Sequence, residues 1–278
     1  MQKHGIPTPH AIARFQKLVL AYYREHGRAF PWRETHDPYR ILVSEIMLQQ
    51  TQTARVLSSY DRFVEAFPDF ASLAAAPLHE VLRAWQGLGY NRRAVALQRT
   101  AQIVESSLSG ALPSSPETLE TLPGIGRYTA AAIAAFAFDR PVVFIETNIR
   151  AVFLHFFFRK TDQVADGQLL PLVEATLDRE QPRDWYYALF DYGAMLKRSA
   201  AGGARSLHNR RQSAFAGSNR EMRGRILRLL LEHSPVTERE LADSLQAEEP
   251  RMKESLTQLR TEGFIEIDGD SVRIRDTD

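Results

Sequence analysis

The 278 residues predict a mainly α-helical protein with a small α+β domain at its C-terminal end. Three observations carry that reading. Apolar residues recur at helical spacing over the first two-thirds of the chain, and almost nothing before residue 260 alternates as a strand would. Between Ala200 and Ser218 the texture changes to Ala-Gly-Gly, Ser, Asn and arginine, which reads as a linker. Phe264-Ile265-Glu266-Ile267 then alternates, turns at Asp268-Gly269 and returns through Val272-Arg273-Ile274, as a hairpin should. The expected division is a helical domain over 1–198, a basic linker over 199–218 and an α+β domain over 219–278.

The elements follow in order. Ile12, Phe15, Leu18, Val19 and Tyr22 form one face of a helix over 11–27. Phe30-Pro31-Trp32 breaks it, and Asp37-Pro38 opens a second helix over roughly 38–53. Further helices are expected over 55–66, 69–75, 78–86 and 91–107. Ser114 and Glu117 have the spacing of a capping box, with Pro116 near the first helical position. Helices near 127–138, 147–158, 166–178 and 183–197 complete this part. Beyond the linker, a helix over 219–233 precedes Thr237 and Glu240, a second capping box, with Val236 and Leu241 as its hydrophobic staple. A helix over 250–262 stops at Gly263. Three helices and a hairpin are the winged-helix pattern. Its third helix mixes Glu248, Glu249 and Glu254 with Arg251, Lys253 and Arg260, a poor balance for a major groove, so packing or contact with a protein partner is the favoured role.

Composition excludes several classes. There is no cysteine, hence no disulfide, thiolate zinc site or cysteine-ligated iron–sulfur cluster. No apolar run reaches the roughly eighteen residues of a membrane span, and Met1-Gln2-Lys3-His4-Gly5 lacks an export signal, so a cytoplasmic, nucleoid-associated location is expected; separately, the chain is expected to be a monomer. The eight histidines show no ligand spacing, and no side-chain metal site is expected. The net charge of +1 hides an asymmetry: 219–278 carries 10 basic and 14 acidic residues, and 1–218 carries the opposite excess. For a nucleic-acid partner the N-terminal part is the better host.

Four segments and the basic linker are candidates for chemistry or DNA contact. Leu122-Pro123-Gly124-Ile125-Gly126-Arg127-Tyr128 is a tight turn before an Ala-rich helix, suited to a phosphate at the helix N-terminus; the alternative, read alone, is a plain helix corner. Glu146 and Asn148 follow at the start of the next helix. Glu45 lies in a strongly apolar helix, where burial would raise its pKa and make it a general acid; the alternative is an exposed position on a polar stripe. Gln49, Gln50 and Gln52 after it offer amides to base edges. In Gly87-Leu88-Gly89-Tyr90-Asn91-Arg92-Arg93, Tyr90 could wedge between bases while Arg92 and Arg93 hold phosphates, or it could be a buried ring at a helix entrance. The linker arginines, including Arg210 and Arg211, would lie along a backbone or simply be solvated.

These motifs together resemble the helix-hairpin-helix DNA glycosylase superfamily, most of all its adenine DNA glycosylase branch. The resemblance runs from about Phe30 to Lys197, some 60% of the chain, on Pro31-Trp32-Arg33, Ser44 to Gln52, Gly87 to Tyr90, Leu122 to Gly126 and Asp191-Tyr192-Gly193-Ala194-Met195. It implies a two-subdomain helical fold acting on double-stranded DNA, with the target base flipped into a cleft. Glu45 then matches the glutamate that protonates the departing purine, and Asn148 the asparagine supporting the catalytic carboxylate. Tyr90 and Gln50 match residues that probe the estranged base. The Gly124–Gly126 hairpin matches the element that binds the DNA backbone, often through a monovalent cation. The family's aspartate falls at Glu146, with ~1.5 Å more reach. Tyr128 stands where lyases of the family carry lysine, which implies a monofunctional enzyme. Asp191 is expected to tie helices together. The family's four cluster cysteines are missing, and the winged helix stands in place of the branch's 8-oxoguanine-reading domain. Adenine is the leading target; a thymine or uracil mismatch glycosylase and a catalytically retired DNA-binding adaptor are the alternatives.

Overall fold

The computed structural model describes residues 6–158, 164–199 and 217–275, which fall into two compact units. One holds described residues 6–45, 113–121 and 125–199; the other holds 46–112, 122–124 and 217–275.

The first unit is helical. It contains α1 (Pro9–His26), a 3-10 turn at Pro31–Arg33 and α2 (Pro38–Leu48) as far as Glu45. It continues with α7 (Pro116–Leu119), α8 (Arg127–Phe138), α9 (Thr147–Phe157), α10 (Asp166–Thr176) and α11 (Pro182–Arg198). Thr8 caps α1 and Pro9 occupies its first turn. Phe15 projects from α1 into an edge-on aromatic cluster with Phe153, Phe156, Phe157 and Trp185, joining α1, α9 and α11. Six consecutive residues of α8, Ala130 to Ala135, are buried, and all but Ile133 are alanine. Their small side chains let neighbouring helices approach its axis closely.

The second unit contains α3 (Thr53–Ala66), α4 (Phe70–Ala75), α5 (Leu78–Ala84) and α6 (Arg92–Ser107). Gln98 of α6 donates to the carbonyls of Leu73 and Ala76, tying α6 to the end of α4. The same unit includes α12 (Asn219–Glu232), β1 (Val236–Thr237), α13 (Glu238–Leu245), α14 (Glu249–Thr261), β2 (Ile265–Asp268) and β3 (Ser271–Ile274). Its three strands form an antiparallel sheet in the order β1-β3-β2, with Val272 opposite both Val236 and Ile267. Met222, Ile226, Leu230, Leu241, Leu259 and Phe264 are buried around that sheet.

Helix positions agree closely with the hydrophobic periodicity, and three differences have physical causes. α2 stops at Leu48, short of 53, because Gln50 takes a left-handed φ of 54° and Arg93 satisfies the carbonyls left open at the helix end. The cap of α7 is Ser115: its hydroxyl accepts from Thr118 N, while Ser114 accepts instead from Arg140. The sheet has a third strand, β1, whose two residues are too few to show alternation. Among the described residues no helix is long and apolar enough to cross a membrane.

Candidate active site and DNA-contact loops

In the first unit four helices and the Pro31–Arg33 turn contribute polar groups to one electrostatic cluster. Glu45 ends that unit's share of α2, and its neighbours Ile41, Leu42, Val43, Ile46 and Met47 are all buried. Glu45 itself is only 6% exposed. Burial pushes its carboxyl up to about 8; the negative charge of Glu146 adds to the rise and Arg33 opposes it. At neutral pH the group therefore carries its proton.

Glu146 is the N-cap of α9. Its Oε1 accepts from Asn148 N (2.6 Å) and Ile149 N (2.9 Å), and its Oε2 from Thr147 Oγ1 (2.9 Å) and Asn148 Nδ2 (3.3 Å). The longer side chain thus folds back over its own helix N-terminus, where a negative charge is favoured. Asn148 holds it twice, through backbone and side chain.

Asn148 is seated in turn by Gly193 of α11. A Cβ at Gly193 would stand 2.2 Å from the Asn148 carbonyl oxygen, so only glycine lets α11 pass α9 here. Besides its place in the Asp191–Met195 motif, the sequence marks this residue as an isolated glycine inside a helix, a costly choice that signals close packing. Two residues earlier, buried Asp191 accepts from Arg28 N and Nε and from both terminal nitrogens of Arg33. Burial alone would raise its pKa; the bonds and charges of Arg33 and Arg28 outweigh that and hold it below the usual range. Asp191 is a strut, as expected.

The Arg33 guanidinium lies 4.4 Å from the Tyr187 ring centroid and 5.0 Å from that of Phe30. Tyr187, which the sequence reading missed, belongs to the same cluster: burial raises its hydroxyl pKa, and the charge of Glu45 adds to the rise. Tyr128 sits in the first turn of α8, edge-on to Phe144. Its side chain is 36% exposed, yet crowding by protein atoms, then Glu45 and Glu146, push its hydroxyl well above the usual tyrosine value. It stays a neutral phenol and offers no amine. The cluster combines a protonated acid, a fixed carboxylate and phenol hydroxyls.

In the second unit, Gln49 to Gln52 form the turn between α2 and α3, with Gln50 and Gln52 exposed. Gln49 Nε2 donates to the Gly124 carbonyl (3.1 Å), and Thr100 Oγ1 to that of Pro123 (3.0 Å). Gly124 has φ 76°, and a Cβ there would lie 2.8 Å from that of Ala96. In the first unit, Gly126 leads into α8 with no side-chain cap, and exposed Arg127 follows.

Tyr90 is half-buried, with φ 48°, behind Gly87 and Gly89 at φ 91° and 70°. Arg92 is exposed, free of the buried network its neighbour builds. Arg93 is not available to a phosphate, which corrects the expectation for it. Its side chain turns inward and donates to the carbonyls of Ile46, Met47, Gln49, Leu88 and Gly89 and to Thr51 Oγ1. Burial pushes its pKa down to about 10, Tyr90 working against the fall and Arg92 with it, so it remains a cation. Its physical task is to hold the glutamine turn and the tyrosine loop together. Arg210 and Arg211 lie outside the described residues.

The model of the HhH-GPD superfamily of base excision DNA repair proteins matches residues 43–169. Adenine DNA glycosylase of Mycolicibacterium smegmatis is 34% identical over 91% of this chain and 92% of its own. Adenine DNA glycosylase of Mycobacterium tuberculosis is 36% identical over 80% of this chain and 81% of its own. A match over 91% of the chain must take in part of 219–278, so similarity extends into the C-terminal α+β region. Among solved structures, a thermostable thymine-DNA glycosylase superposes with a TM-score of 0.61 and 28% identity, covering 68% of this chain and 88% of that one.

Proposed function

The chain belongs to the HhH-GPD superfamily of base excision DNA repair proteins and is a DNA glycosylase; from that premise we propose that it removes adenine from mispaired or damaged double-stranded DNA, without lyase activity. The observation that carries the proposal is the buried Glu45 carboxyl, raised to about 8 in the same cluster as Glu146. A flipped purine receives the Glu45 proton as the C1′–N bond breaks and its electron pair leaves with the base. The sugar acquires oxocarbenium character, which the fixed charge of Glu146 stabilises. Water adds to C1′, and the proton it loses restores Glu45.

Both Glu146 oxygens are engaged by four donors, which favours electrostatic stabilisation over covalent attack. Asn148 orients that carboxylate, and the neutral Tyr128 phenol supports hydrolysis without a Schiff base. Gln49, Gln50, Gln52 and Tyr90 supply contacts at the bases; Arg92, Arg127 and the hairpin N–H groups hold phosphates, joined by Arg210 and Arg211. The Pro123 and Gly124 carbonyls each already accept one bond, so the hairpin donor set, without carboxylates, suits a weakly held monovalent cation at most. The likeness to a thymine-DNA glycosylase supports a second reading, thymine or uracil opposite guanine.

A panel of duplexes holding adenine, thymine, uracil, hypoxanthine or 8-oxoguanine in defined pairs decides the base. Adenine release giving strand breaks only after alkali, with no borohydride-trapped adduct, is expected. Breaks without alkali, or release of thymine and not adenine, would overturn the proposal.

A further inference from the structure

Tyr90 is held from a distant part of the chain. Its hydroxyl lies 2.8 Å from Nη1 of Arg220, a residue of the first turn of α12 and 130 positions away. The Arg220 guanidinium carbon is also 5.8 Å from the Tyr90 ring centroid, and that of Arg93 is 5.4 Å from it. Near its other end, α12 is fixed again, where Arg83 of α5 donates to the Leu231 carbonyl (3.2 Å). Eleven residues of helix put these two ties about 16 Å apart. α12 therefore lies along the α5–Tyr90 face of its unit, anchored at both ends.

Tyr90 needs such support. A bulky aromatic residue at φ 48° occupies a sparsely populated region and persists only where its surroundings hold it. Arg93 and the Trp85 indole, which donates to the Gly89 carbonyl (3.1 Å), hold the backbone of the loop. Neither takes hold of the tyrosine hydroxyl. Arg220 does.

We infer that Arg220 is a positioning residue for Tyr90, through which the C-terminal α+β region sets the aim of the DNA-probing loop. The inference rests on the reading of Tyr90 as a base-step probe. It gives the region at 219–278 a part in recognition that needs no groove contact of its own. A ring already aimed loses less conformational freedom when it enters a base step, so binding at a distorted site gains and binding to regular duplex does not.

The test uses the full chain and two probes: a duplex with a stable tetrahydrofuran abasic analogue opposite guanine beside a 2-aminopurine, and its fully paired counterpart. Discrimination is the ratio of the two Kd values, and 2-aminopurine fluorescence reports unstacking. Arg220→Ala should lose about tenfold in discrimination, the size of one charge-assisted hydrogen bond, with a matching fall in fluorescence. Tyr90→Phe, which removes only the hydroxyl and keeps the fold, should do the same, and the double variant should be no worse than either. Equal weakening on both duplexes with a salt slope reduced by about one would make Arg220 a phosphate contact and overturn the inference. Additive losses, or unchanged discrimination, would overturn it too. Tyr90→Ala separates the two levels. If it spares discrimination, the probe reading itself fails. If it abolishes discrimination while Arg220→Ala does not, only the positioning role fails.

Discussion

The single carboxyl that carries the proposed chemistry also leaves a mark on stability. Glu45 titrates near 8 in the folded chain, against an ordinary value of 4.5. Between those two values the folded state keeps a proton that the unfolded chain has lost, so stability falls as pH rises through the window and is lowest above it. Glu45→Gln removes that penalty and the acid together. Base release should drop by about 10²–10⁴-fold. The melting temperature of the variant should exceed that of the parent at pH 8.5 and match it more nearly at pH 5, at about 2–4 °C per kcal/mol. For the parent, single-turnover base release should decline above about pH 8, approaching tenfold per unit as the acid form disappears. A flat profile to pH 10, or a Gln variant less stable at pH 8.5, would remove Glu45 from the role of acid.

At the scale of elements, two crossings place the polar groups. Gly193→Ala puts a methyl into the Asn148 carbonyl, so α9 and α11 must part. A loss of about 2–3 kcal/mol by denaturant unfolding is expected, within the range of overpacked cores, and base release should fall because the Glu146 cap rides on α9. Arg93→Lys keeps the charge but replaces a planar fork serving six acceptors by three donors, and should cost about 2–4 kcal/mol in the same assay. These crossings also mark the limit of what the sequence discloses. Helices were legible because periodicity is local, and Glu45 because a carboxylate breaks an apolar run. Glu146 and Asn148 were legible as residues, but the fold-back of the glutamate over its helix depends on side-chain torsions that no spacing encodes. Arg93 and Arg92 are indistinguishable in the sequence; which one turns inward depends on carbonyls 40 to 50 positions away. Tyr187 looks like ordinary core, Gly193 signals close packing without saying against what, and the tie between Tyr90 and Arg220 spans 130 residues with no local signal.

For the whole molecule, net charge alone does not place the duplex. The net of +1 is close to neutral, and α14 exposes cations too, Lys253 and Arg260 among them. Their setting differs. α14 follows Glu248 and carries Glu254 beside them, and the Arg251 guanidinium already donates to the Gly217 carbonyl (2.7 Å). Arg92 and Arg127, by contrast, stand exposed beside the tyrosine loop and at the uncapped start of α8. A phosphate contact adds about one counterion to the salt slope whatever the base sequence. Replacing Arg92 and Arg127 by alanine should therefore lower the slope of log K against log salt by about two and weaken paired and mispaired duplexes alike. Replacing Arg251, Lys253 and Arg260 together should leave that slope within about half a unit of the parent. Fluorescence anisotropy between 50 and 300 mM salt measures both. If the triple variant shows the larger change, the α14 face carries the duplex and the C-terminal region binds DNA directly; if the double variant does, the footprint follows the loop and the hairpin, where the glycosylase chemistry requires it.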